Sequence, residues 1–595
     1  MAVRNNTLST IRKLYNILNN EQKRNFGLLA VLTFFSSLSD LIGLALVIPV
    51  VGLVLSDKFY NAIGDYVHIL AHLSRTEMLI YTVILMFVLI VLKNIFGLWV
   101  NKLQVNFVKN FFVFSTVNVL NKVYARSLPD LQKDTSVELA NKLTTLQITL
   151  SSNTVMSLMI IINETMIFGL TAIIASLWNW QLFILLIVIT ISTLGLFYSR
   201  VKNMIRDAGS EKTDRIVDLY SNAQEMVLGY TDIKIAGTEK SFKAKFKDIA
   251  KSYSQYQGRL DFMMFIPTRI IEVAIFTCVI IILLYGVFIL KDPNKIVATI
   301  TLFSVIAYRS IPSINRFVMA LNNFNATEFI FDDPEFRPEE SEQEKVANAT
   351  ERGTAEPMTF HDRIRFDDVS FRYSDNTKYV LSHCNLEVKK GEKIGIIGTS
   401  GSGKSTLINN ILGFLMPTKG NILIDQTALT EENKKNWWKI VGYVRQDVFI
   451  MNATFMENIA IGEPADKINI DRINYAVKLA SLTELVKDFP NGLNEMLDER
   501  GNNLSGGQKQ RISIARAIYK GAEVLIFDEA TAALDSKTEE EITNSIRTLG
   551  NEHLTIIIIA HRYTSLKYCD KIYSIENGQI TNSYTYGELI ANVNG

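Results

Sequence analysis

Six separate stretches within the first 320 residues are apolar for 20 residues or more, and nothing else in the chain restricts its fold so tightly. They lie at roughly 26–55, 78–100, 153–177, 180–199, 268–290 and 297–320. A hydrocarbon core of about 30 Å is crossed by about 20 helical residues, so each run predicts a membrane-spanning helix. The first is too long for a secretory leader and lacks a small-residue cleavage site. An even number of spans returns both ends of the domain to one side. Arg4, Arg12, Lys13, Lys23 and Arg24 precede the first span, and the connector 200–266 is dense in lysine and arginine, whereas 178–180 and 291–296 carry little. The positive-inside rule therefore puts the termini and both long connectors in the cytoplasm.

Composition fits a membrane protein with a soluble half: 48% of residues are hydrophobic and 20% charged. With 61 basic residues against 60 acidic ones the net charge is +1, which removes the whole-chain basic signature of a nucleic-acid partner. Cys278, Cys384 and Cys569 stand far apart, offering neither a disulfide framework nor zinc-ligand spacing. Connectors 101–150 and 200–266 are polar, low in proline and helix-compatible, so the membrane helices are expected to continue into the cytoplasm. Residues 56–76, with Tyr60, Tyr66, His68 and His72, read as a short amphipathic helix on the external face. These features divide the chain into a six-helix membrane domain at 1–325, a charged linker at 326–360 and a second domain at 361–595.

In that second domain short apolar strands alternate with helices. "KIGIIG", "EVLIFDE" and "LTIIIIAH" are near-continuous apolar runs, as for strands buried on both faces of a parallel sheet. The first leads into Gly398-Thr399-Ser400-Gly401-Ser402-Gly403-Lys404-Ser405-Thr406, a GxxxxGKS loop in its required setting between a strand and a helix. Its glycines let backbone N–H groups turn toward phosphate oxygens, Lys404 reaches the β- and γ-phosphates, and the Ser405 hydroxyl is placed to ligate Mg²⁺. Asp528 ends a second strand and suits a Mg²⁺ shell; Glu529 beside it is placed to polarise the water that attacks the γ-phosphate. His561 ends a third strand, within reach of the same phosphate. Leu504-Ser505-Gly506-Gly507-Gln508 opens a helix and makes a second phosphate cradle, suited to a partner's nucleotide.

With LSGGQ added to the phosphate loop and the Asp-Glu strand end, residues 362–595 resemble an ATP-binding cassette (ABC) nucleotide-binding domain. That resemblance implies further roles. Tyr373 would stack on adenine, Gln446 would sense Mg²⁺ and the membrane domain, and Asp535 would contact the opposing site. Glu499-Arg500-Gly501 would touch the coupling helices, expected near 129–138 and 213–224. Arg445 and Ala532 stand where many relatives have proline and serine. Six spans followed by one cassette resembles a half-size type IV ABC exporter: an α-helical membrane domain fused to an α/β P-loop domain, binding ATP and Mg²⁺. Such a chain pairs with a second half-transporter, and since every catalytic element is present here the economical partner is an identical chain.

Ionisable residues inside the apolar runs are costly and point to cargo: Asp40, Lys93, Glu164, Arg269, Glu272, Arg309 and Arg316. Arg309 and Arg316 are seven apart, nearly on one helix face. Lys93, Arg269, Arg309 and Arg316 are candidates to hold an anionic head group. The alternative is structural: the first, second and fourth snorkel, and Arg309 bridges to Asp40 or Glu164. "LVIPVVGLV", the external helix and "AYRSIPSINRF" resemble bacterial lipid-linked oligosaccharide flippases of the inner membrane, which implies a polyprenyl-diphosphate cargo on those four residues. Export of another lipid, a peptide or a hydrophobic drug stays open. An ATP-gated regulator or channel is disfavoured by the presence of Glu529 and His561.

Overall fold

Long apolar runs with helix-compatible flanks fold into helices far longer than a bilayer is thick. The computed structural model describes residues 7–45, 50, 53, 74–285, 288, 312–337, 358–373, 378–498, 501–528, 554–560 and 562–594. They gather into two units, Met1–Tyr124 with Asp134–Glu339, and Ala125–Lys133 with Glu340–Gly595.

The first unit is helical. A short amphipathic helix α1 (Thr7–Ile17) precedes α2 (Asn20–Ala45) and α3 (Arg75–Ala125). With 51 residues, α3 is about 77 Å long, more than twice the hydrocarbon thickness. After α4 (Ser136–Leu143), a π turn over Leu150–Val155 leads into α5 (Met156–Trp178). The hairpin of α6 (Trp180–Leu228) and α7 (Glu239–Tyr285) follows, and α8 spans 312–326. Among the described residues, α3 and the stretch Ser136–Trp178 are long and apolar enough by themselves to cross a bilayer. The other predicted spans run partly through residues outside the described set, as do the external segment 56–73 and its histidines.

Two expectations need correction. Residues 213–224 are not a separate coupling helix but part of α6, which runs unbroken to Leu228. That stretch contains neither glycine nor proline; the chain turns only at Gly229, followed by the short helix Tyr230–Ile235 and Gly237 at φ +66°. The other expected coupling helix, 129–138, is a single turn at Leu128–Leu131, N-capped by Ser127, and then the start of α4 under a Thr135–Glu138 capping box.

The second correction concerns the linker. Its first part, 326–337, is packed into the helical unit. Ile330, Phe331 and Phe336 are at most 2% exposed, and the acidic residues between them meet bases from distant elements. Lys142 of α4 lies 3.0 Å from Asp333, 3.3 Å from Glu335 and 3.2 Å from Asp134. Lys13 of α1 and Arg206 of α6 each approach Asp332 at 3.9 Å. Thr10 donates to buried Glu328 at 3.0 Å, and Lys122 of α3 donates to the Arg337 carbonyl at 2.6 Å. Aromatic anchoring plus matched charge turns an apparent linker into a clasp.

The second unit holds two sheets. Strands β1 (Arg363–Phe371), β2 (Leu381–Lys389), β4 (Lys419–Ile424) and β5 (Thr427–Ala428) form one, in the order β2-β1-β4-β5. The other takes β3 (Lys393–Ile397), β6 (Val441–Val444), β7 (Val524–Asp528), β8 (Thr555–Ile559), β9 (Lys571–Glu576) and β10 (Gln579–Tyr584), in the order β10-β9-β3-β8-β7-β6. From β9 to β6 the pairing is parallel, as the apolar runs require. Alternate residues feed opposite cores: Leu525, Phe527, Ile556 and Ile558 one, Val524, Ile526, Ile557 and Ile559 the other.

Candidate nucleotide site

Four neighbouring parallel strands deliver the predicted chemistry to one edge of the larger sheet. Ile396 of β3, Ile559 of β8 and Asp528 of β7 stand level in register, and Val444 of β6 pairs with Phe527. The phosphate loop follows β3 and Gln446 follows β6, at the carboxyl ends where open α/β sheets bind ligands. Glu529, His561, Asp535, Glu499, Arg500 and Ala532 lie outside the described residues, although the strands leading to the first two are described.

The loop before α9 (Lys404–Ile411) has the backbone that only glycine supplies. Gly401 and Gly403 adopt φ of +79° and +106°, and a β-carbon at Gly398 would stand 2.5 Å from the Ile575 carbonyl. Thr399, Ser400 and Ser405 are exposed, whereas Ser402, Lys404 and Thr406 are buried. The Lys404 ammonium donates to the carbonyls of Gly398 at 2.7 Å and Thr399 at 3.0 Å. Ser402 Oγ is buried without a partner, an orphan inside a cradle lined with donors.

Ser505 caps α10 (Gly506–Lys520). Its Oγ accepts from the Gln508 N–H at 3.2 Å, and Gln508 Oε1 accepts from the Ser505 N–H at 2.8 Å. The two bonds form a capping box. Ser505 and Gly506 are exposed, so the first turn of α10 presents free backbone donors. Tyr373 stands just beyond β1, 37% exposed, with its ring edge-on to Phe371 at 5.1 Å, which makes it a loop aromatic rather than a strand residue.

One contact had no signal in the sequence. The Tyr443 hydroxyl donates to Asp528 Oδ2 at 2.7 Å across 85 residues of chain. Burial, and then that bond, hold the phenol well above its ordinary pKa, so it stays a donor.

Comparisons agree with this geometry. The ABC transporter family profile matches residues 381–532. The ATP-dependent lipid A-core flippase of Chromohalobacter salexigens is 31% identical over 428 residues, 70% of each chain, and that of Ralstonia nicotianae 30% identical over 420 residues, 69% of this chain and 68% of its own. The chain is a half-size ABC exporter. Its fold is that of a solved bacterial Atm1-family ABC exporter with ATP bound, at a TM-score of 0.78, 19% identity, and coverage of 96% of this chain and 97% of that one. A leukotoxin translocation ATP-binding protein from a Pasteurella haemolytica-like species is 42% identical, but over 39% of this chain and 32% of its own. The exporter is a membrane-embedded, ATP-hydrolysing transporter with a cytoplasmic cassette.

Its described candidate cations are partnered. Lys93 lies 2.9 Å from Asp40; Arg316 lies 2.6 Å from Glu164, itself 1% exposed, and also donates to Ser313 at 3.3 Å. Arg269 lies 3.1 Å from Glu272 on the same helix, and its side chain is 81% exposed. Arg309 is outside the described residues.

Proposed function

We propose that the exporter is an ATP-driven flippase moving an amphipathic lipid across the bacterial inner membrane, with a polyprenyl-diphosphate-linked oligosaccharide as the specific cargo. The observation that carries the lipid class is the match to lipid A-core flippases over more of the chain than a cassette alone provides. The toxin-translocating relative matches over a cassette's length and says nothing of cargo.

In this proposal two identical chains pair, so that the Ser505–Gly507 turn of one faces the nucleotide on Lys404 of the other. Tyr373 stacks on adenine, and the N–H groups of 398–406 surround the phosphates. Lys404 exchanges its loop carbonyls for phosphate oxygens. Ser405, Asp528 and Gln446 form a hard-oxygen set suited to Mg²⁺, which would neutralise charge on the β- and γ-phosphates. Glu529 orients the attacking water and accepts its proton, His561 contacts the γ-phosphate, and Asp535 reaches the opposing site.

For cargo, the pairing divides the four cations. Lys93 and Arg316 are compensated by acids from other helices, whereas Arg269 meets Glu272 of its own helix with its side chain 81% exposed, and Arg309 stays a candidate from its place in the sixth apolar run. Arg269→Ala and Arg309→Ala should each raise the lipid concentration for half-maximal ATPase stimulation about tenfold, the worth of one strong hydrogen bond. Wild-type flipping of a polyprenyl-diphosphate glycan in liposomes by both variants would remove the pyrophosphate assignment.

A further inference from the structure

Tyr443 belongs to no motif, yet it is the described side chain bonded to the carboxylate that ends β7. Three features make the contact more than the satisfaction of a half-buried hydroxyl. First, its position is set by packing. β6 is the edge strand, paired in parallel with β7 so that Tyr443 stands opposite Ile526, and α10 packs against its face. A β-carbon on Gly442 would stand 2.4 Å from Ala517 Cβ, so the strand and the helix headed by Ser505 touch backbone to side chain. Second, the terminal torsion of an aspartate is broad, and one short charge-assisted bond at Oδ2 is enough to fix the carboxylate plane. Third, β6 ends at Val444 and Gln446 follows within two residues. One strand therefore carries both a candidate metal-shell amide and the clamp on a candidate metal-shell carboxylate.

We infer that Tyr443 is a positioning residue for the magnesium shell. Its hydroxyl holds one oxygen of Asp528, leaves the other for the metal's hydration sphere, and ties the aim of that carboxylate to the strand bearing Gln446. This rests on the proposed role of Asp528. The hydroxyl touches neither nucleotide nor metal; it acts through Asp528, as outer-shell donors orient ligating carboxylates elsewhere. A shift of β6 would then move both Gln446 and Asp528, so that metal binding reports on the seating of the strand packed under α10.

The test uses the full-length exporter in nanodiscs. Tyr443→Phe should raise the free Mg²⁺ for half-maximal ATPase about tenfold, and weaken Mn²⁺ binding, read by electron paramagnetic resonance with a non-hydrolysed ATP analogue, by a similar factor. Binding of a fluorescent ATP analogue in EDTA and melting in EDTA should not change. An unchanged metal dependence overturns the inference. So does loss of metal-free nucleotide binding together with stability, which would make the hydroxyl structural. Asp528→Asn separates the two layers. If it leaves the metal dependence intact, the Asp528 role falls and this inference with it; if it shifts the dependence while Tyr443→Phe does not, the inference alone falls.

Discussion

Lys404 and Arg316 are both cations held within the chain, one in each unit, and their described partners differ in kind. Lys404 rests on neutral carbonyls of its own loop, whereas Arg316 rests on the carboxylate of Glu164 from another helix. A hydrogen bond from an ammonium to a neutral carbonyl is worth about 1.5–3 kcal/mol net, and an arriving phosphate, itself charged, replaces it with a stronger one. Stripping one partner from a buried ion pair costs about 3–5 kcal/mol. Bonds to loop carbonyls are of the kind a ligand's oxygens can take over, whereas the bond to Glu164 ties Arg316 to the fold. Across the cassette the same holds: Thr399, Ser400, Ser405, Gln446 and Ser505 are exposed at one sheet edge or helix end. In the membrane unit, Lys93 and Arg316 are neutralised where they stand.

The strongest way to break this contrast is on the cassette side. Glu529→Gln should retain ATP binding while hydrolysis falls at least about a hundredfold, the usual loss when a general base is removed. Near wild-type turnover would take Glu529 out of that role. On the membrane side, Arg316→Ala should lower stability by about 2–3 kcal/mol, less than for a fully buried pair because Arg316 is 44% exposed. Adding Glu164→Gln should recover most of it, and thermal melting in detergent reads both. If Arg316→Ala melts like wild type, Arg316 is free for cargo after all. The smallest effect is Ser505→Ala, which removes the α10 cap and should cost about 1 kcal/mol by melting. Ser505→Thr keeps the cap and should restore it.

Those sites were unequally legible in the sequence. Gly398–Ser405 and Leu504–Gln508 carry their geometry locally, because a glycine at positive φ or a capping box is specified within a few residues. That β3, β7 and β8 are parallel strands buried on both faces was legible too, through near-continuous apolar runs; their order was not. Contacts closed by the fold were not. The Tyr443–Asp528 bond spans strands far apart in sequence, and no spacing rule announces it. The charges inside the apolar runs were visible one by one, but their pairing depends on which helices meet. The stretch 326–337 reads as linker for a different reason: it is charged and lacks apolar periodicity, while Ile330, Phe331 and Phe336 within it are a buried anchor. The resemblance puts a coupling helix at 213–224, but no glycine or proline stands between Ser210 and Leu228 to break α6 there.

The clasp around 326–337 has a consequence for how ionic strength should act on this exporter. Its outer contacts, Lys13 and Arg206 on Asp332, are long, and Asp332 is 52% exposed. At about 0.15 M salt, with a screening length of about 8 Å, such pairs contribute little, and they fade further as salt rises. Lys142 is different: it is 14% exposed and faces Glu335, 3% exposed, which mobile ions screen poorly. Thr10 on Glu328 is a hydrogen bond from an uncharged donor inside the fold, and screening acts on it weakly. Rising salt should therefore peel the clasp from its rim inward. α1 would lose its charge contact while keeping its buried one, and α4 would stay fastened, so that the helical unit loosens in a fixed sequence rather than all at once.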